Sequence, residues 1–216
     1  VKMEDAEALF CRQGLGWGSN IVLDDTDVES CLDFMALEWS GSGRGDYRES
    51  PLELGGAASD FRFAGYEITE GSPVMACGLP QAHGAEQTLA VFLEQPGAKL
   101  TLYYTVFKNL DAIVRSVKIE NAGDKTFKVD AAASLCLDLP SMDYQWIHLW
   151  GQHCQERALS MTKLEHGTQM IGSKRGASGH FHNPFAALAA NGTDEQNGEV
   201  YGVNLVYSGN FTISAE

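Results

Sequence analysis

Two neighbouring stretches between Lys99 and Glu120 alternate their side chains with a period of two, and this constrains the fold more than any other feature. Lys99–Phe107 sets Leu100, Leu102, Tyr104 and Val106 against Thr101, Tyr103, Thr105 and Phe107. Both rows are apolar or β-forming, as in a strand inside a layered sheet. Ala112–Glu120 places Ile113, Arg115, Val117 and Ile119 on one face and Val114, Ser116, Lys118 and Glu120 on the other. The cluster Asn121-Ala-Gly-Asp-Lys125 reads as a turn, and Thr126–Leu139 reads as a long returning strand, which makes a hairpin. Further strands fit Phe61–Thr69, Gln87–Leu93, Ile147–Leu159, Thr168–Ser173 and Glu199–Tyr207, and Leu32–Trp39 fits a strand better than the one helical turn it could also make. No stretch has the 3.6-residue apolar period of an amphipathic helix. The expectation is an all-β fold, a large antiparallel two-sheet sandwich occupying 1–216 as one domain. Tyr207–Glu216 reads as the start of another strand, so the sheet is expected to be incomplete at its C-terminal end.

Composition removes several classes of function. The chain has 216 residues, 44% of them hydrophobic, which is enough for a substantial core. No apolar run approaches the ~20 residues of a membrane span, so no membrane partner is expected. The net charge of −14, with Lys174-Arg175 as the one adjacent basic pair, argues against nucleic acid, which needs a basic stripe. Asp24, Asp25, Asp27 and Glu29 read as a solvated turn, because the Gly and distal Glu of a calcium loop are not at the required spacing. Cysteines 11, 31, 77, 136 and 154 are odd in number, widely spaced and free of any Cys-x-x-Cys. That suits reduced thiols and a cytoplasmic location. Val1–Ala8 is charged and has no apolar leader core; Asn191-Gly-Thr and Asn210-Phe-Thr match a glycosylation pattern that short sequences often meet by chance.

The densest polar chemistry lies in Gly172–Leu188. This Gly-rich stretch carries Lys174, Arg175, His180, His182 and Asn183 ahead of Pro184. In an extended chain His180 and His182 share one side and Phe181 takes the other. A break at Asn183-Pro184 would expose these groups on a loop. The two His, with His153 or Cys154 as a third ligand, offer a metal reading. No third ligand stands at a fixed spacing, so loop-ordering hydrogen bonds are the expected role, with no metal and no cofactor. Asp138 and Asp143 flank Pro140 and read as exposed polar surface, not as a catalytic pair.

Seven short motifs then occur in order along the chain. They are Gly-Asp-Tyr-Arg at Gly45–Arg48, Tyr-Thr-Val-Phe at Tyr104–Phe107, Ile-Val-Arg-Ser at Ile113–Ser116 and Arg-Gly-Ala-Ser at Arg175–Ser178. They continue with His-Asn-Pro-Phe at His182–Phe185, Gly-Glu-Val-Tyr-Gly at Gly198–Gly202 and Val-Tyr-Ser-Gly-Asn-Phe at Val206–Phe211. Together they resemble the N-terminal β-domain of glycoside hydrolase family thirty-six, the bacterial and fungal α-galactosidases. The chain departs from that pattern in carrying Phe181 where the family often has Gln, and in a poorly matching start, Val1–Ser30.

The resemblance implies a retaining hydrolase of melibiose- and raffinose-type sugars whose two Asp carboxyls lie in a (β/α)₈ barrel. Such chemistry needs carboxyl groups ~5 Å apart across the bond. By resemblance neither is in this chain, so no catalytic residue is assigned and the isolated chain is expected to be inactive. The domain's expected partners are the α-galactoside, its own barrel and neighbouring subunits of a homo-oligomer, a tetramer by resemblance. On residue type alone Asp46 reads as an ion pair with Arg44 or Arg48, or as an Asx-turn; the resemblance makes it a substrate contact on a loop reaching a neighbouring active site. Asn183 is the second expected substrate contact, able to donate to and accept from a sugar hydroxyl. Arg48, Arg175, His180 and His182 are expected to support these loops. Trp39, Trp146 and Trp150 fit either a sugar platform or an ordinary sandwich core. The alternative is a stand-alone carbohydrate-binding or structural β-sandwich.

Overall fold

The computed structural model describes residues 38–41, 49–55, 59–76, 78–139 and 143–216. Among these residues there are twelve strands and no helix, hence no helix long and apolar enough to cross a membrane. Every strand pairing is antiparallel. The all-β antiparallel expectation therefore holds. The chain divides into two compact units, residues 1–138 and 139–216.

The first unit is built on β2 (Arg62–Glu70), β3 (Gln87–Gln95), β4 (Ala98–Phe107) and β5 (Leu110–Asn121), hydrogen-bonded in that order. Pro96-Gly97 closes the β3–β4 turn, with Gly97 in the left-handed conformation that a tight turn asks of it. Alternation along β3, β4 and β5 puts Leu93, Leu100, Leu102, Val117 and Ile119 in one cluster. Against them lies β1 (Leu52–Leu54), paired with β6 (Val129–Ala132), which delivers Leu52 and Leu54. Leu52 and Leu102 are completely buried. Each such leucine contributes about 1.5–3 kcal/mol relative to an exposed one. The other face carries Thr88, Thr101 and Thr105, all buried. Here the segment after β2 folds back: the Gly71 amide donates to the Glu86 carbonyl at 2.9 Å, and the Ser116 hydroxyl reaches Met75 Sδ at 3.9 Å.

This arrangement corrects the expected hairpin between Ala112–Glu120 and Thr126–Leu139. The turn cluster exists, since Asn121 Nδ2 donates to the Lys125 carbonyl at 2.9 Å and its Oδ1 accepts from the Gly123 amide at 3.0 Å. Yet the chain leaves it for a different partner. Only Val129–Ala132 becomes a strand, and it pairs with β1 through Leu52↔Ala132. β5 pairs with β4 instead, through Leu100↔Ile119 and Tyr104↔Arg115.

The second unit repeats the plan with different residues. A four-stranded sheet runs β11 (Val200–Asn204), β10 (His182–Ala190), β7 (Tyr144–Gln152), β8 (Gln155–Lys163). A two-stranded sheet, β12 (Phe211–Ala215) with β9 (Gln169–Ser173), supplies Ile171 and Phe211 to a core shared with Trp146 and Ala186. Tyr207–Glu216 thus holds a strand paired with β9 over its length, and Glu199–Tyr207 shortens to Val200–Asn204.

Two expectations fail here for backbone reasons. Ile147–Leu159 is not one strand but the arms of a hairpin that turns at His153-Cys154, where Gln152 faces Gln155. Cys154 (φ 66°) and Arg157 (φ 59°) both take left-handed conformations without being Gly or Asn, so composition gave no turn signal. Opposite that turn a Cβ on Gly151 would collide with the Gln155 carbonyl, which makes glycine a requirement there. The second failure concerns Asn183-Pro184, which does not break the chain into a loop. Both residues lie in β10, a central strand. Proline is tolerated because the register shifts around it: His182 faces Trp150 and Ala186 faces His148, so four residues' advance on β10 meets two on β7. The Pro184 carbonyl still accepts from the Leu205 amide at 2.9 Å.

Candidate functional site

Asp46 and Arg48, with the rest of the Gly-Asp-Tyr-Arg motif, lie outside the described residues, as do Asp24, Asp25, Asp27, Glu29, Cys11, Cys31 and Cys77. The other expected site residues fall in the second unit. The Gly-rich loop before β10 is tied down by backbone contacts: the Gly176 amide donates to Asn210 Oδ1 at 2.7 Å and the Ser178 amide to the Ser208 carbonyl at 2.9 Å. Arg175 spreads its guanidinium over the Phe181 ring at 3.8 Å, and His180 stacks on that ring at 4.8 Å between centroids. Phe181, standing where the related family often has Gln, is therefore the centre of an exposed stack of three side chains.

His180 and His182 do not form a pair, contrary to the alternation argument. Gly179 bridges to His182, so His180 and Phe181 are the corner of a tight turn and no extended segment joins the two His. The imidazole that meets His182 is His148, from β7, with ring centroids 5.9 Å apart and planes at 50°. Both rings are half-buried, and the Nδ1 of each is shielded from solvent with no hydrogen-bond partner. The same holds for Asn183 Oδ1, in the bulge next to His182. Burial, and to a lesser degree neighbouring His182, pulls His148 below the ordinary imidazole value. His153 and Cys154, the expected third ligands, sit at the β7–β8 turn, and Cys154 is an exposed free thiol. Among the described residues no three His, Cys, Asp or Glu side chains converge.

The tryptophans separate cleanly. Trp146 is buried in the core of the second unit. Trp150, four residues on along β7 and facing His182 in register, is 43% exposed. Trp39 packs at the edge of the first unit's core. Asp143 is exposed at the start of the second unit and Asp138 ends the first. Two shallow hollows, of about 400 Å³ beside Gln95, Lys125 and Phe127 and about 440 Å³ beside Asp143, Lys163 and His166, include none of the expected site residues.

Residue-by-residue reading missed His148, although its signal was present: Trp146, His148 and Trp150 recur at alternate positions, which in a strand is one face. It also left Arg115 without a role. The guanidinium lies 3.8 Å over the Tyr104 ring, and Nη1 donates to Glu38 at 2.7 Å. Its Nε and Nη2, like the Tyr104 hydroxyl, are buried without a partner.

Comparison with known proteins completes the picture. Residues 15–216 match the family described as the glycosyl hydrolase family 36 N-terminal domain. The α-galactosidase AgaA of Geobacillus stearothermophilus is 38% identical over 203 residues, which is 89% of this chain and 28% of that protein. The bifunctional α-galactosidase/sucrose kinase AgaSK of Mediterraneibacter gnavus is 37% identical over 93% of this chain and 22% of its own length. The chain thus spans about a quarter of the curated relatives it matches. A crystal structure of an AgaA variant with 1-deoxygalactonojirimycin superposes with a TM-score of 0.83 at 36% identity, covering 93% of this chain and 29% of that one. A second AgaA variant, in complex with raffinose, gives 0.82 at 35% identity, with the same shares covered.

Proposed function

The chain belongs to the glycosyl hydrolase family 36 N-terminal domain, and on that premise we propose that it is the N-terminal β-domain of a retaining α-galactosidase acting on melibiose- and raffinose-type sugars. The observation that carries the reading is the match over residues 15–216 together with relatives that are α-galactosidases at 37–38% identity. In this reading the two catalytic carboxyls stand in a barrel encoded outside the chain, and the domain supports a cytoplasmic homo-oligomer. Asp46 and Asn183 are its substrate-contact residues. A carboxylate that accepts from two sugar hydroxyls would discriminate strongly, because an analogue lacking them leaves a charge unpaired. Arg175 and His180 hold the turn that leads into β10 through the stack on Phe181.

Two measurements test this. The coding sequence around Val1 and Glu216 should continue into a barrel with two essential Asp residues, and the isolated chain should not cleave an aryl α-galactoside. In the parent enzyme Asp46→Ala should lower kcat/KM by about tenfold or more, the loss of a charged hydrogen-bond partner. Turnover by rigorously pure chain would place the carboxylates within it. Activity of Asp46→Ala within about twofold of the parent would remove Asp46 from the site.

A further inference from the structure

Resting on the reading that Asp46 contacts substrate, we propose that Arg115 is a positioning residue: through Glu38 it fixes the stem of segment 42–48, which carries the Gly-Asp-Tyr-Arg motif. The described residues on either side of that segment are anchored in the first unit. On its N-terminal side Trp39 packs against the leucine core, Ser40 is 2% exposed, and a Cβ on Gly41 would collide with the Ser59 carbonyl. On its C-terminal side Ser50 leads towards β1, where Leu52 is completely buried. The Ser40 hydroxyl donates to the Glu49 carbonyl at 3.3 Å and so ties the two sides together. Glu38 stands next to Trp39 in this stem, and Arg115 Nη1 donates to its Oε1 at 2.7 Å.

Stability alone does not account for an arginine at this place. Along β5 it shares a row with Ile113, Val117 and Ile119, and the last two belong to the leucine core. Its side chain is only 11% exposed, and Nε and Nη2 are buried without a partner. The hydroxyl of Tyr104, its cross-strand neighbour, is buried and unpartnered too. Unmatched buried donors are destabilising, and an apolar side chain in the same row would avoid them. What the guanidinium adds is one charged hydrogen bond to Glu38, aimed by the Tyr104 ring 3.8 Å beneath it. The Glu38 side chain is 57% exposed, and a pair that open adds little to stability. The arrangement therefore gives up stability and gains a fixed place for the stem. A substrate-contact carboxylate needs such a fixed place, because a misplacement of about 1 Å is enough to lower turnover by as much as ~100-fold.

The experiment is a double-mutant cycle in the parent enzyme, with kcat and KM for an aryl α-galactoside and the melting temperature read for every variant. Arg115→Met keeps a long apolar stem on Tyr104 and removes the charged fork together with its two unpartnered donors. Its kcat/KM should fall by about fivefold, mostly through KM, while the melting temperature stays within about 2 °C of the parent or rises. Glu38→Gln, at an exposed carboxylate, should show the same split at about threefold, and it decides the matter if Arg115→Met does not fold. On an Asp46→Ala background either stem variant should cost less than about twofold more, because its effect runs through a contact already removed. A merely structural role would lower the melting temperature along with activity and carry its full loss onto that background. Either of those results overturns the proposal, as does kcat/KM within about twofold of the parent for both stem variants. If Asp46→Ala itself stays within about twofold, the substrate-contact reading falls and this proposal with it. If Asp46→Ala is damaging and the stem variants are not, the positioning claim alone fails, so the two failures are distinguishable.

Discussion

Two polar pairs that span neighbouring strands, one in each unit, are opposites. In the first unit Thr88 and Thr105 face each other from β3 and β4, both about 1% exposed. Their hydroxyls meet at 2.9 Å, and Thr88 Oγ1 also donates to the Gly71 carbonyl at 2.6 Å. Every part of that chemistry is used inside the protein, and the bond to Gly71 fastens the segment that covers the sheet. In the second unit the rings of His148 and His182 meet on the diagonal between β7 and β10, half-buried, each with an unused nitrogen. The contrast separates two uses of polar atoms inside a β-sandwich. A closed pair holds structure together; an open pair leaves hydrogen-bonding capacity unmet, at a cost in stability.

If the closed side is where stability resides, deletions there should be the most damaging. Leu102, fully buried and three residues from Thr105 on β4, is the extreme case. Leu102→Ala should lower unfolding free energy by about 2–5 kcal/mol, read from the denaturant midpoint at constant m-value. A loss below about 1 kcal/mol would mean that the core relaxes around the gap and that the closed side is less tightly packed than its burial says. Thr88→Val comes next. It keeps the shape but strands the Gly71 carbonyl and the Thr105 hydroxyl, at a cost of about 1–3 kcal/mol. The matching change on the open side, His182→Leu, removes no hydrogen bond and should fall within about 0.5 kcal/mol of the parent, or stabilise it. Equal losses for Thr88→Val and His182→Leu would erase the distinction between the pairs.

The closed region was the more legible of the two in the sequence. Lys99–Phe107 and Ala112–Glu120 alternate so regularly that β4, β5 and the leucine face follow from period alone. Pairing was another matter. The Asn121–Lys125 turn is local chemistry and was readable, while the partner of Val129–Ala132 is β1, some 75 residues earlier by register, and no local signal names a distant partner. In the open region, turn chemistry itself misled. His153-Cys154 turns without Gly, Pro, Asn or Asp, and Asn183-Pro184 stays in a strand because a bulge removes the need for a proline N–H. The polar residues of Gly172–Leu188 stand out in the sequence, but the partner of His182 came from another strand, where only three-dimensional register could place His148. Sheet proteins hide their sites in this way. Residue types declare the chemistry, and register decides which of them meet.

The smallest expected effect is a pH dependence of stability, and it probes the open pair directly. His148 is lowered from the ordinary value of 6.5, first by burial and then by His182 beside it. As pH falls below 6.5, the unfolded chain takes up this proton while the folded chain resists it, so acid favours unfolding. The penalty grows until the lowered folded value is reached; below that both states are protonated and the difference stays constant. His148→Gln removes this linkage and keeps a polar group of similar reach. Its melting temperature should therefore drop less than the parent's between pH 8 and pH 5, by a margin smaller than the Thr88→Val effect at neutral pH. The other titrating groups are common to both proteins, so the comparison cancels them. Parallel acid losses in the two proteins would mean that the imidazole relaxes into solvent on protonation, which would make the pair a surface feature and bring the two regions of the molecule back to one kind.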